Sequence, residues 1–287
     1  MPRDVCLALG GGGARGLAHI GVLAELEHAG YRIAALAGTS IGGVMASLYA
    51  IGLSPAEMAG WAEGNLSRGL FHFRPSPGAL LGVDRIHEVL TEALGSKTFA
   101  DVRCPLALTA VDLETGTEVV LTSGELVEAV LATIALPGIF PPQWTGGSRL
   151  VDGGVVDPVP VQPVRALHRA PVVAVALSAR PGSPPATAAS PLTYLPGSGM
   201  FSRLRIGQAL QVFGRSLEIS SRLFTDLRLQ LDTPEVIVRP DVARVGILDT
   251  PEAGPLIEAG RAAMAAGLHE LDGWYGLRGA IRRVVPA

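Results

Sequence analysis

Ile33-Ala34-Ala35-Leu36-Ala37-Gly38-Thr39-Ser40-Ile41-Gly42 is the stretch that decides how this chain folds. Its first five residues are a short apolar run, which reads as a buried strand. Gly42 to Ile51 reads as a helix, with Gly52 at its C-cap position. Ser40 therefore falls on a strand-to-helix turn. Such a turn is tight and strained, and it admits only small residues two before and two after the serine. Gly38 and Gly42 fill both places. The following helix directs its positive N-terminal end at Ser40, which favours negative charge there. In that context Ser40 is a candidate nucleophile. A Gly-rich turn without chemistry is the plainer alternative.

Upstream, Val5-Cys6-Leu7-Ala8-Leu9 reads as another buried strand and Ala14 to His28 as an amphipathic helix, with Gly10-Gly11-Gly12-Gly13 between them. Gly11-x-Gly13-x-x-Gly16 fits the dinucleotide fingerprint, which needs an Asp or Glu at the end of the second strand. Here that strand runs through Ala37-Gly38 into the serine turn, with no acid. A phosphate-binding P-loop is excluded because no Gly-Lys-Ser/Thr follows. What remains is a loop of bare N–H groups at a helix N-terminus, beside the serine turn. That is the position of an oxyanion hole, with Gly11, Gly12 and Gly13 as its donors. Arg15 in the first helical turn opposes the helix dipole. It is either a solvated surface arginine or a clamp, fixing the loop or meeting an anionic group of a substrate.

A serine nucleophile needs a proton acceptor. Arg149-Leu150-Val151-Asp152-Gly153-Gly154 reads as a short strand ending in an aspartate on a Gly-Gly turn. Asp152 is a candidate, and a structural turn aspartate is its plain alternative. A triad in the order Ser, Asp, His would require His168 or His269. His168 reads as the exposed end of a short helix and His269 as part of a C-terminal helix, Ala259 to Leu271. Neither has the strand-end turn where a triad histidine usually sits.

Four motifs together resemble the patatin-like phospholipases, in particular the small bacterial branch related to the catalytic domain of neuropathy target esterase. Gly11-Gly12-Gly13-Ala14-Arg15-Gly16 matches the family's oxyanion loop. Gly38-Thr39-Ser40-Ile41-Gly42 matches its nucleophile turn, and Asp152-Gly153-Gly154 its D-G-A/G motif. Ala132-Thr133-Ile134-Ala135-Leu136-Pro137-Gly138-Ile139-Phe140-Pro141-Pro142 matches the segment before the aspartate. The match runs from about residue 4 to 178. The resemblance implies a three-layer α/β/α fold with a mainly parallel central sheet. It also implies a Ser-Asp dyad without histidine, in which Ser40 attacks and Asp152 takes the proton. The implied substrates are fatty-acyl esters such as phospholipids or lysophospholipids. Arg15, Gly16, Gly38, Gly42, Gly153 and Gly154 are the supporting motif positions, and the implied chemistry uses no cofactor and no metal. A carboxylesterase or thioesterase for soluble esters, and a non-catalytic lipid-binding module, are the alternatives.

Composition agrees with a large α/β core. The chain has 287 residues, of which 48% are hydrophobic and 17% charged. Strands alternating with helices through residue 178 favour one sheet covered on both faces, so residues 1–287 read as one domain. A net charge of −3 gives no reason to expect nucleic acid. Cys6 and Cys104, both read as lying on apolar strands, make no disulfide framework, and the histidines show no zinc-binding spacing. With no apolar run near 18 residues and no leader pattern, a cytoplasmic location is expected. Pro181 to Gly199 reads as a mobile loop, with residues 200–287 as a helix and strand extension. Phe201 to Phe224 places apolar residues near helical spacing with arginines interleaved. Packing on the sheet is the favoured reading, and contact with a membrane surface the other. The apolar stretch Trp61 to Leu81 is either a wall of an acyl pocket or ordinary packing. Glu235 to Pro240 reads as one more strand. Oligomeric state is not legible.

Overall fold

The computed structural model describes residues 3–67, 83–178, 200–247 and 249–275; residues 66, 67, 200–211, 213 and 214 are described by backbone alone. The segment 181–199, expected to be a mobile loop, and Leu70, Phe71 and Phe73 lie outside the described residues.

Eight strands form one sheet: β1 (Arg3–Leu9), β2 (Tyr31–Thr39), β3 (Leu106–Asp112), β4 (Glu118–Leu121), β5 (Gln143–Thr145), β6 (Ser148–Asp152), β7 (Val172–Val175) and β8 (Val236–Val238). Their order is β5-β6-β3-β2-β1-β7-β8, with β4 beside β3. The centre is parallel, from β3 through β2, β1 and β7 to β8. The residues expected to add a late strand do so as β8.

Successive side chains of a strand point to opposite faces, and here the two faces differ in bulk. Val5, Leu7 and Leu9 of β1 face a core shared with helices α1 (Ala18–His28), α2 (Ile41–Ala50), α3 (Pro55–Ser67), α4 (Asp84–Leu94), α5 (Leu126–Thr133) and α8 (Ala253–Asp272). Cys6 and Ala8, with Ala37 and Ala107 of the neighbouring strands, face α6 (Val161–Leu167) and Leu229 of α7 (Met200–Asp232). Small residues on this second face let α6 approach closely. Helices on both faces make the three layers expected.

Three elements depart from expectation. The helix expected over Ala14–His28 begins as a 3-10 turn, Gly13–Leu17, and its α-helical part is not amphipathic. The reason is α8, which lies against its outer side. A Cβ on Gly21 would stand 1.8 Å from the Ile257 carbonyl oxygen, and one on Gly260 1.9 Å from that of Ala18. The two backbones touch through this pair of glycines, so α1 is buried between sheet and helix. Secondly, Cys104 lies in the turn before β3 rather than on a strand, and both cysteines are free thiols. Thirdly, Phe201–Phe224 belongs to a longer helix of 33 residues.

The register of β3 brings the two candidate catalytic residues together. Leu108 and Thr109 pair with β2 on one edge and β4 on the other; Ala110 and Val111 pair with β4 and β6. Thus β2 and β6 occupy the same edge of β3, end to end. β2 runs parallel to β3 and β6 antiparallel, so their C-terminal ends meet. Thr39 pairs with Thr109, and Asp152 pairs with the next residue, Ala110.

Candidate active site

Ser40 takes φ 55° and ψ −129° as the residue before α2. A positive φ costs a non-glycine residue on the order of 1–2 kcal/mol, so the surroundings must hold it there. Its N–H donates to Thr133 Oγ1 at 2.9 Å, and the Thr133 hydroxyl donates to the Thr109 carbonyl at 2.6 Å. Thr39 Oγ1 lies 2.7 Å from Thr109 Oγ1 and donates to the Asp157 carbonyl at 2.9 Å. All three threonines are fully buried. The glycines around the turn make room for it. A Cβ on Gly38 would stand 2.5 Å from the backbone of Gly42 and Gly43, and one on Gly42 2.0 Å from the Leu9 carbonyl oxygen.

Asp152 closes β6. Its N–H donates to the Ala135 carbonyl at 3.0 Å, and Gly154 N–H donates to its Oδ1 at 2.7 Å. A Cβ on Gly153 would meet Thr109 Oγ1 at 2.4 Å, so glycine is required for this turn to lie against β3. The carboxyl is buried, and desolvation pushes its pKa up to about 6; the Ser40 hydroxyl and the Gly154 N–H, which favour the charged form, limit the rise. The segment Ala132–Pro142 now has a physical role. Thr133 holds the backbone of Ser40 and Ala135 that of Asp152, so one short stretch tethers both.

The glycine loop leaves β1 beside Ser40, and a Cβ on Gly11 would be 3.2 Å from Ser40 Cβ. Of its three candidate donors, Gly11 has its N–H committed to the Pro158 carbonyl at 3.0 Å. Among the described residues, nothing accepts from the N–H groups of Gly12 and Gly13. Ile41 and Gly42, in the first turn of α2, likewise have no intrahelical acceptor. His19 steadies the loop from below: its Nε2–H donates to the Gly10 carbonyl at 2.8 Å. It is fully buried, and desolvation lowers its pKa to about 4, so the ring is neutral.

Arg15 is a buried clamp rather than a solvated arginine. Its Nε donates to the Val245 carbonyl at 2.6 Å, and its guanidinium pairs with Glu218 of α7 at 2.5 Å. Ala14 N–H donates to the Ile247 carbonyl at 2.9 Å, and Gly16 makes room for Ile41. The loop is therefore tied to two segments more than two hundred residues away. Glu218 and Ile247 were not legible as site residues, because only the fold brings them there. Thr133 stood within a motif, but nothing local marked it as the group that holds the Ser40 backbone.

Ser40, Asp152, Gly12 and Gly13 line a cavity of about 490 Å³. Most of its wall is apolar, with Met45, Trp61, Leu90 and Phe140 among the contributors. Trp61 thus belongs to a pocket wall, as one reading of its stretch expected. Among the described residues no histidine lines the cavity. His269 is exposed on α8, and His168, at the end of α6, approaches Cys6 Sγ at 3.9 Å. No group of described His, Cys, Asp or Glu side chains is arranged to hold a metal ion.

A family model for patatin-like phospholipases matches residues 7–165. An NTE family protein of Mycobacterium tuberculosis is 34% identical over 185 residues, covering 64% of this chain and 51% of that protein. The lysophospholipase NTE1 of Pyricularia oryzae is 28% identical over 172 residues, covering 58% of this chain and 11% of that protein. The crystal structure of VipD from Legionella pneumophila shares the fold with a TM-score of 0.52 at 12% identity, covering 95% of this chain and 67% of that one. The chain spans about half the length of the mycobacterial relative.

Proposed function

The chain belongs to the patatin-like phospholipase family, and on that premise we propose that it hydrolyses fatty-acyl esters of lysophospholipids or related lipids through Ser40 and Asp152. The observation that carries this reading is that adjacent residues of β3 bring Ser40 and the buried Asp152 carboxyl together in the wall of one mostly apolar cavity. Ser40 Oγ attacks the acyl carbonyl carbon while its proton passes to the Asp152 carboxylate. The carbonyl oxygen becomes an oxyanion and accepts from the N–H groups of Gly12 and Gly13. Collapse expels the alcohol, which takes the proton from Asp152 and leaves an acyl group on Ser40. Water then attacks the acyl-enzyme and gives its proton to Asp152. A second collapse releases the fatty acid and returns the proton to Ser40.

A pKa of about 6 makes Asp152 a stronger base than a free carboxylate, yet still a weak one for a serine hydroxyl. Positioning and the oxyanion donors must supply the rest of the rate. The cavity supports a lipid acyl chain as the ligand. Its volume of about 490 Å³ lies within the usual range of small-molecule ligand pockets.

The direct test is release of fatty acid from lysophosphatidylcholine micelles, with p-nitrophenyl butyrate as the soluble comparison. Hydrolysis of both by the wild-type chain and of neither by folded Ser40→Ala supports the reading. Turnover of the soluble ester alone would favour an esterase, and undiminished turnover by Ser40→Ala would remove the nucleophile.

A further inference from the structure

The described part of α7 carries an apolar stripe that nothing described covers. Val212, Ile219, Leu223, Phe224, Leu227 and Leu231 are between 44% and 67% exposed. At 100° per residue, Val212, Ile219, Leu223 and Leu227 project within an arc of about 80°. Large apolar side chains aligned on one exposed helix face mark a contact surface rather than scattered surface residues.

Two further observations say what that surface meets. First, the helix also reaches the cavity, at Phe224, about 60° around the helix from Leu227. Phe224 is both half-exposed and part of the cavity wall, and Val155, close to Asp152, is another exposed apolar residue on that wall. Secondly, the charges on this helix are sorted. Glu218 pairs with Arg15, Asp226 with Arg239 at 2.5 Å, and Asp232 with Arg228 at 3.4 Å, so its described acidic groups are neutralised by ion pairs. Arg215 and Arg222 form no ion pair with any described residue, and Arg215 reaches the cavity wall. An apolar stripe beside arginines that no described acid pairs with suits an anionic lipid surface. No described helix is long and apolar enough to cross a membrane, so this one would lie along the interface.

We propose that α7 seats the molecule on an anionic lipid surface through Ile219, Leu223 and Leu227, beside the part of the Ser40 cavity wall that Phe224 forms. The proposal rests on the hydrolase reading, because a cavity that takes an acyl chain must receive it from a lipid aggregate. Docking there places the ester beside Ser40 without carrying the whole lipid through water.

The test is cosedimentation of the full chain with vesicles of phosphatidylcholine mixed with phosphatidylglycerol, against vesicles of phosphatidylcholine alone. Leu223 and Leu227 do not line the cavity, so Leu223→Gln/Leu227→Gln should keep its rate on p-nitrophenyl butyrate. It should bind the mixed vesicles at least about tenfold more weakly than wild type. Arg222→Gln should weaken binding to the mixed vesicles about fivefold and leave the weaker binding to neutral vesicles unchanged. Wild-type protein that fails to cosediment, or a double variant that binds as wild type does, overturns the proposal. So does sedimentation velocity showing a wild-type dimer that the double variant turns into a monomer, which would give the face to a second copy. Binding that needs Leu223 and Leu227 in a chain that hydrolyses no ester would keep the docking face and remove the hydrolase reading.

Discussion

The floor and the roof of the cavity are held by different forces. Below, Ser40 and Asp152 sit on a frame of backbone-directed hydrogen bonds from fully buried Thr39, Thr109 and Thr133, packed through glycines with no room for a side chain. Above, α7 is secured by ions. Arg15 reaches Glu218, Arg228 reaches Asp157 at 3.0 Å, and Arg239 reaches Asp226. Only Thr225, Leu229 and Asp232 are buried among its described side chains. Buried hydrogen bonds with fixed geometry hold atoms to the tolerance that catalysis needs. Each of these ion pairs has one partner about a quarter exposed, Glu218, Arg228 or Asp226, so salt reaches it and the wall can shift more than the hydrogen-bonded floor. The difference suits the proposed reaction, in which the reacting groups stay fixed while a lipid enters and leaves.

The largest effect expected from breaking the floor is at Asp152. Asp152→Asn keeps the shape but cannot take the proton, and should lower kcat by about 10⁴-fold. His168→Ala and His269→Ala should stay within a few-fold of wild type on the same ester. The pH profile follows from the raised carboxyl. Only the ionised form accepts a proton, so kcat/KM of the wild type should rise through pH about 6 and level off above it. Stability runs the other way. The folded state binds this proton more tightly than the unfolded chain, so burying the charge costs stability as pH climbs from 3.8 to about 6. Asp152→Asn should therefore unfold at higher denaturant than wild type at pH 8, by up to roughly 3 kcal/mol, with the gain gone at pH 3. A flat kcat/KM profile between pH 5 and 8 would contradict the assignment.

Next comes the glycine loop, proposed as the oxyanion hole. Gly12→Ala would bring a Cβ to 2.9 Å from that of Leu177 and tilt the loop. A loss of about 10²–10³ in kcat with little change in KM is expected. A change in KM alone would make the loop a binding element. Thr133→Val should be milder, because it leaves Ser40 N–H and the Thr109 carbonyl without a partner but removes no reacting group. A stability loss of about 1–3 kcal/mol and about a tenfold fall in kcat are expected from denaturant melts and steady-state rates.

The smallest effects belong to the roof. Glu218→Gln should raise KM about threefold and leave kcat nearly unchanged, since Glu218 holds the loop from a distance through Arg15. In high salt, backbone amides of residues 212–232 should exchange with deuterium faster, while those of β2 and α2 should not. Equal acceleration in both regions would erase the contrast.

The same contrast explains what was legible in the sequence. The floor depends on local requirements: glycines two before and two after Ser40, a Gly-Gly turn after Asp152, and short apolar strands. Each leaves a mark within a few residues, so Ser40, Asp152 and the glycine loop could be singled out. That β2 and β6 meet end to end along β3 could not, because the antiparallel return of β6 has no local signature. Nor could the commitment of the Gly11 N–H to Pro158, or the burial of α1 on both sides through Gly21 and Gly260. The roof left still less trace. Arg15 and Glu218 are separated by 203 positions, and an arginine with a distant partner looks like one in solvent. The exposed stripe of α7 was partly visible, but Leu227 and Leu231 emerge only once the helix is known to continue to Asp232.

The central claim is that Ser40 is a nucleophile activated by Asp152 and by no histidine. The most direct measurement is the rate at which a fluorophosphonate labels the chain, with the site mapped by peptide mass spectrometry. A single label on Ser40 is expected in wild type, with an equal rate in His168→Ala and His269→Ala and a rate lower by several orders of magnitude in Asp152→Asn. Labelling of a different residue, or of Ser40 at the wild-type rate in Asp152→Asn, would contradict it.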